Sequence, residues 1–323
     1  MPPSLPPIRP PRLHGAFARV SRWVGVGRAA VTPPGEDTER AAQRAESDGR
    51  TVVVLTTWNR PALLEQSLPQ IEREAASIGA PLVIADDQSD DPATLALLAG
   101  AARRGADVIQ RPYVRQRHLD LDLYIHHAPE VAHDHLRQTA PGQLLAADPW
   151  TAATDLAHTY TQLNNLYAFR HVLSRYADAA WIVKVDDDVA IAEGAFARLR
   201  ATHEQARRDG LDVLCVSGIR TVNELMLIER DGYCVTRGAC NVTILYRAAD
   251  WARLLTELPE SLILREGFDL AFVWHYAPKF RPGAAPIALT PSAVYHTGFN
   301  GVHVRNADLN TDYAGPLDDV AVQ

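Results

Sequence analysis

The sequence predicts an α/β fold built on a mixed, mostly parallel sheet flanked by helices, preceded by a disordered N-terminal tail. Three apolar runs carry that prediction: TVVVLT at Thr51–Thr56, LVIAD at Leu82–Asp86 and AWIVKV at Ala180–Val185. Each is close to continuous in aliphatic or β-branched residues, as a strand buried on both faces of a parallel sheet requires. Each also runs into polar residues at its carboxyl end, where open α/β sheets bind ligands.

The first 49 residues read differently from the rest. MPPSLPPIRPPR is proline-rich and is expected to be extended and solvated. TPPGED at Thr32–Asp37 is a second breaker cluster. Between them, Phe17, Val20, Val24 and Val31 recur at near-helical spacing, interrupted by Arg19, Arg22 and Arg28. A basic amphipathic segment of this kind suits an anionic membrane surface, although Gly25 and Gly27 each cost a helix about 1 kcal/mol.

The chain has 323 residues, enough for a large core, and a formal net charge of −7, which argues against a nucleic-acid partner. Cys215, Cys234 and Cys240 fit neither a zinc ribbon nor a redox pair, and their odd number favours a reducing compartment. No run reaches the roughly 18 apolar residues of a membrane span. A cytoplasmic protein is therefore expected, its tail read as a floppy segment or a helix docked on the body, with peripheral contact at the inner membrane face as the alternative.

After the first strand, Trp58-Asn59-Arg60-Pro61 reads as a turn, with Pro61 suited to the first turn of a helix. Leu64, Leu68, Ile71 and Ala75 then mark a helix that packs on the sheet. Gly79-Ala80-Pro81 ends it, and the second strand leads into Asp86-Asp87-Gln88-Ser89-Asp90-Asp91. Neither G-x-G-x-x-G nor G-x-x-x-x-G-K-[ST] occurs, so a dinucleotide-linked dehydrogenase and a P-loop NTPase are set aside.

Leu163, Leu166, Phe169, Leu173 and Tyr176 mark a helix feeding the third strand, which ends in Asp186-Asp187-Asp188. Adjacent carboxylates at the end of a buried strand repel one another without a counter-ion. Alternation along an extended chain places Asp186 and Asp188 on one side, where they can bind a divalent cation directly or through water. Mg²⁺ or Mn²⁺ there would bridge substrate phosphates. The alternatives are a solvated acidic turn and a helix N-cap at Asp188. Further on, LDVLCVSGIR and CNVTILYR read as strands, and Asp231-Gly232 as a hairpin turn. Trp251 and Trp274 are candidates for stacking on a sugar face, though helices more often bury such residues.

With TVVVLTTWNRP, LVIADDQSDD and WIVKVDDDV in this order, followed by GFDLAFVW and VYHTGFNGVH, the chain from Thr51 to Asn306 resembles the GT-A fold glycosyltransferases, in particular the inverting family 2 type. The resemblance implies a Rossmann-like domain at 50–323, with a nucleotide-binding half at 50–190, an acceptor-side half at 191–306 and a tail at 307–323. It implies that Thr56, Asn59 and Arg60 contact the nucleotide and that Asp86 and Asp87 reach the base and ribose. Asp186 and Asp188 correspond to the DxD motif, with Asp187 beside the donor and His296 joining the metal or diphosphate. Asp269 stands in the place of the catalytic base, with Glu266 as its substitute. His303 and Arg305, after Gly298 and Gly301, are expected to form a flap whose arginine grips phosphate oxygens.

The expected reaction moves one sugar from a nucleotide-diphosphate donor, UDP-linked by preference, to a hydroxyl acceptor with inversion. A divalent ion offsets the charge of the leaving diphosphate, and one carboxylate takes the acceptor proton. The separation of Asp87 from Asp186 exceeds that of compact family members and implies an insertion at about 111–159. His126, His127, His133 and His135 lie there without clean ligand spacing, so a loop or acceptor lid is expected rather than a zinc site. The Q-x-x-R-W motif and membrane helices of processive synthases are missing, which favours single transfer. The rivals are a non-catalytic nucleotide-sugar or membrane-surface binding protein on the same fold and, ranked lower, a sugar-phosphate nucleotidylyltransferase, which would show a G-x-G-T-R-type turn.

Overall fold

A computed structural model describes residues 49–110, 149–220, 226–259, 262–263, 267–297 and 312–315, without the side chains of 149–159. The chain divides into two units, Met1–Arg44 and Ala45–Gln323, and every described residue belongs to the second. The tail, the histidines of the expected insertion, Glu266, His303, Arg305 and most of 307–323 lie outside the described residues.

The three apolar runs form strands β1 (Arg50–Thr57), β2 (Leu82–Asp86) and β4 (Ala179–Asp186), and β3 (Asp107–Gln110) lies beyond β2. Helix α1 (Pro61–Ser77) joins β1 to β2, and α2 (Pro92–Arg103) joins β2 to β3. The predicted stripe of α1, Leu64, Leu68, Ile71 and Ala75, is buried, and the helix continues through Pro69. At the start of helix α2 the Asp91 side chain accepts from the Thr94 N–H, and Pro92 follows. Helix α3 (Pro149–Arg175) leads into β4 and begins inside the stretch assigned to the insertion.

After β4 come β5 (Val189–Ile191), α4 (Ala195–Arg208), β6 (Val213–Ser217), β7 (Met226–Arg230), β8 (Tyr233–Thr236), β9 (Thr243–Arg247) and α5 (Ala248–Glu257). Helix α6 is composite: Phe268–Leu270, a π-helical Ala271–Tyr276 and Ala277–Phe280. Strands β10 (Ala285–Leu289) and β11 (Val294–His296) close the described fold. Asp231-Gly232 makes the β7–β8 hairpin turn, with Gly232 at φ 81°, where a side chain would be strained.

The main sheet has the order β3-β2-β1-β4-β9-β6-β10-β8-β7. Among the described strands of this sheet, only β8 and β9 run against the rest, so it is mixed and mostly parallel. Alternation along each central strand feeds two cores. Val52, Val54 and Ile182 face α3, α5 and α6, whereas Val53, Leu55, Val183 and Val185 face α1, α2 and α4. On the first face Phe169 stacks on Trp251 at 3.9 Å between ring centroids, and Trp251 packs on Phe272. Trp251 is therefore core, as its helical context suggests, while Trp274 is half exposed. Such aromatic pairs contribute about 0.5–1.5 kcal/mol each beyond their burial.

Two polar side chains of α1 brace the segment after β4. Gln70 accepts from the Ile191 N–H at 2.7 Å, and buried Glu74 accepts from the N–H groups of Gly194 and Phe196 at 3.0 and 3.3 Å. Glu74 thus satisfies open donors at the start of α4, whose glycine cap has no side chain to do so. No described helix is long and apolar enough to cross a membrane.

Candidate functional site

The topology puts a crevice beside β1. From β1 the chain steps to β2 and β3 on one side, then returns to place β4 on the other. Open sheets bind ligands at the carboxyl ends of strands where the order reverses in this way. Register aligns the side chains there: Thr56 is opposite Asp186, Thr57 opposite Asp86, and Asp86 opposite Gln110.

The loops after β1 and β2 are tied together. Asn59, at φ 46°, accepts through Oδ1 from the N–H groups of Asp90 and Asp91, and its Nδ2 donates to Asp90 at 2.6 Å. Its own N–H donates to Ser89 Oγ. Asp86 is fully buried and accepts from the Ser89 hydroxyl and N–H and from Gln110 Nε2 at 2.6 Å. Asn59 and Asp86 thus organise the crevice wall. Asp87 is also buried, with its N–H donated to the Thr57 carbonyl.

The alternation argument stops at Asp186. β4 ends there, and Asp187 and Asp188 form a bend before β5, so Asp186 and Asp188 meet different partners. Asp186 Oδ1 accepts from Thr56 Oγ1 at 2.9 Å and pairs with Lys184. Asp187 accepts from Thr57 Oγ1 at 2.7 Å and from Arg60 Nη1 at 3.2 Å. Asp188 Oδ2 lies 2.7 Å from Arg60 Nη1 and 3.3 Å from His296 Nε2. The histidine arrives through the short β5–β11 ladder, in which His296 is opposite Val189, and the Thr297 N–H bonds the Asp188 carbonyl.

Burial and neighbours divide these carboxylates electrostatically. Burial pushes the Asp187 carboxyl up to about 7 against the pull of Arg60. Burial also opposes ionisation of Asp188, but the hydrogen bond and charge of His296, with Arg60, outweigh it and hold the group below the usual carboxylate range. Among the described residues, no three His, Cys, Asp or Glu side chains form a ready metal cluster. The donor chemistry nevertheless fits a hard divalent ion: Asp188 Oδ2 and His296 Nε2 converge, Asp187 is adjacent, and such ions complete their shell with phosphate and water.

Asp269 lies in the first turn of α6, on the face of the sheet that carries Lys184 and Asp186. Gly267 at φ 88° starts that turn, and Gln162 Oε1 accepts the Phe268 N–H at 3.1 Å. Asp269 is partly buried. Burial raises its carboxyl, a backbone bond from Leu270 and the charge of Lys184 lower it, and Asp186 raises it again. A carboxylate with a raised pKa is a better proton acceptor.

The structure thus gathers Thr56, Arg60, Asp186, Asp187, Asp188 and His296 at one strand edge, with Asn59, Asp86 and Asp87 shaping its wall. Sequence reasoning missed Lys184, whose buried Nζ reaches Asp186 and the Asn241 carbonyl at 2.9 Å, 5.7 Å from the Phe268 ring centroid. It also missed Thr57 and Gln110. A signal for the lysine was present: a cation between valines of a strand buried on both faces needs a carboxylate, and the second residue on shares its face.

No protein-family model matches the chain, and neither does any curated protein. Among solved structures, TarS 1-349 of S. aureus is similar at 14% identity and a TM-score of 0.40, over 76% of this chain and 59% of that one. The same fragment in complex with UDP-GlcNAc gives 14% and 0.41, over 76% and 57%. The mannosyltransferase PcManGT of Pyrobaculum calidifontis, in complex with GDP-Man and Mn²⁺, gives 12% and 0.41, over 79% and 63%. The chain therefore spans less than two thirds of the length of these structures.

Proposed function

We propose that the chain is a metal-dependent glycosyltransferase that moves a single sugar from a nucleotide-diphosphate donor, UDP-linked by preference, to a hydroxyl acceptor with inversion. One observation carries this reading: the carboxylates at the β1–β4 edge separate into two environments. Asp187 and Asp188 lie with His296 under Arg60, whereas Asp269 starts α6 within electrostatic reach of Lys184 and Asp186.

In this reading the first group binds the donor diphosphate and the second prepares the acceptor. Asp188 and His296 would hold Mg²⁺ or Mn²⁺, with Asp187 and Asp186 in support. When bound, the ion acts as a Lewis acid that offsets the charge on the leaving diphosphate. Asp269 accepts the acceptor proton as its oxygen attacks the anomeric carbon, and its raised basicity suits that task. A single base and no protein nucleophile give inversion. Thr56 orients Asp186 and Thr57 orients Asp187, so both carboxylates are pre-set before substrate arrives. Asn59, Asp86 and Asp87 form the wall against which the nucleoside lies.

Calorimetric titration with UDP, GDP and dTDP, each with and without Mn²⁺, tests the reading on wild type and Asp188→Ala. One nucleotide is expected to bind in a Mn²⁺-dependent way, and Asp188→Ala is expected to lose that binding with its fold intact. Failure of all three to bind rejects the proposal. UDP-GlcNAc and GDP-Man then serve as donor probes with a panel of hydroxyl acceptors. Donor binding with no turnover would make the protein a non-catalytic nucleotide-sugar binder.

A further inference from the structure

The buried carboxylates after β4 already have a cation of the chain's own. Arg60 Nη1 bridges Asp188 Oδ2 at 2.7 Å and Asp187 Oδ1 at 3.2 Å, and the same Asp188 oxygen faces His296 Nε2 at 3.3 Å. A divalent ion on that oxygen would stand about 2.1 Å from it. Two cations cannot share one carboxylate oxygen at such distances without strong repulsion. We propose that Arg60 is a stand-in for the metal. It holds Asp187 and Asp188 while the site is empty, is displaced when the divalent ion binds, and turns its guanidinium to the donor diphosphate. This inference rests on the donor-site reading above and adds a coupling between metal and nucleotide.

The local structure suits an exchange of this kind. The backbone of Arg60 is anchored: its carbonyl accepts the Leu64 N–H at 2.9 Å, Pro61 starts α1 behind it, and the Asn59 clamp precedes it. Only the side chain has to move. That side chain is 36% exposed, whereas those of Asp187 and Asp188 are 4% and 8% exposed. Both contacts run through one nitrogen. Arg104, by contrast, grips Glu72 with Nε and Nη2 together. A single-nitrogen bridge leaves the fork geometry available for a phosphate, which guanidinium groups bind in bidentate fashion. Until then Arg60, bridging Asp187 and Asp188, offsets the repulsion between these adjacent buried side chains.

The thermodynamic consequence is reciprocal. While Arg60 competes with the ion, metal alone binds weakly. A diphosphate that engages Arg60 removes the competitor, so each ligand strengthens the other by the same factor. Free Mn²⁺ can be followed by electron paramagnetic resonance during titration of wild type, Arg60→Gln and Arg60→Lys, with and without UDP. Without nucleotide, Arg60→Gln is expected to bind Mn²⁺ about 10-fold more tightly than wild type, within the usual range of coupling factors. Arg60→Lys, which keeps the charge, should stay near wild type. UDP should tighten Mn²⁺ binding to wild type far more than to Arg60→Gln.

Equal or weaker Mn²⁺ binding by folded Arg60→Gln overturns the inference. If wild type still binds UDP with Mn²⁺ in that case, the proposed function stands without it. Independence of UDP and Mn²⁺ binding in wild type overturns it with no variant needed. Absence of Mn²⁺ binding by wild type and Arg60→Gln, even with UDP, overturns both readings.

Discussion

Lys184 and Asp186 share one face of β4, two residues apart, and form an ion pair in which the lysine side chain is 1% exposed and the aspartate 26%. The pair joins the interior of the sheet to the carboxyl end of β4. Lys184 also acts on Asp269, so one buried cation influences carboxylates on a strand and on a helix.

Replacing Lys184 with Met should therefore cost both stability and function. The loss is expected at about 1–3 kcal/mol, below that of a fully buried pair because Asp186 keeps contact with water. Urea unfolding measures it. A Lys184→Met/Asp186→Asn double variant should recover part of the loss, as partners in one pair are non-additive. Strictly additive losses would deny the pairing.

Asp269→Asn should leave Mn²⁺-dependent nucleotide affinity unchanged and lower transfer by about 10²–10⁴-fold, the range of general-base catalysis. Calorimetry and a nucleoside-diphosphate release assay separate the two effects. Near-normal transfer would move the base role to Glu266 or elsewhere.

Gly267→Ala tests how Asp269 is positioned. At φ 88° an alanine is strained by about 1–3 kcal/mol. The unfolding midpoint should fall, and transfer should fall with it while donor binding persists. An unchanged midpoint and full transfer would show that the α6 start does not depend on that turn.

His203 offers a pH test away from the site. Burial first, then the charges of Arg207, Arg247, Arg281 and Arg200, push its imidazole down from 6.5 to about 3, where it packs edge-on against Trp181. The unfolded chain takes up the proton near pH 6.5 and the native state refuses it until about pH 3. Acid therefore favours unfolding: the contribution is complete above pH 6.5 and is lost as pH falls through that window. Its slope is about 1.4 kcal/mol per pH unit. Denaturation of wild type and His203→Phe at several pH values should show that difference in slope, and parallel curves would refute it.

Much of the framework was legible because it depends on local pattern. The buried runs became β1, β2 and β4, the stripe Leu64, Leu68, Ile71 and Ala75 became the inner face of α1, and Asp231-Gly232 became a hairpin turn. Each reflects a backbone period or a turn geometry that a few neighbouring residues specify. The clustering of polar residues at strand ends was legible for the same reason. The roles within the cluster were not. Alternation alone set Asp186 and Asp188 on one side, but the bend at Asp187–Asp188 gave each a different cation.

By itself, then, the sequence determined the α/β class, strands β1, β2 and β4, helix α1, the helix that feeds β4, and the carboxylates that end β4. Hydrophobic periodicity and side-chain charge are properties of the chain before it folds. Only the tertiary structure decided that Arg60 bridges Asp187 and Asp188, that His296 reaches Asp188 through the β5–β11 ladder, and that Lys184 sits beneath Asp186 within electrostatic reach of Asp269. The Arg60 and His296 contacts join residues more than a hundred positions apart, and Lys184 acts on Asp269 from another element of the fold. Strand order and register bring them together, because short-range electrostatics acts on distance in space rather than along the chain.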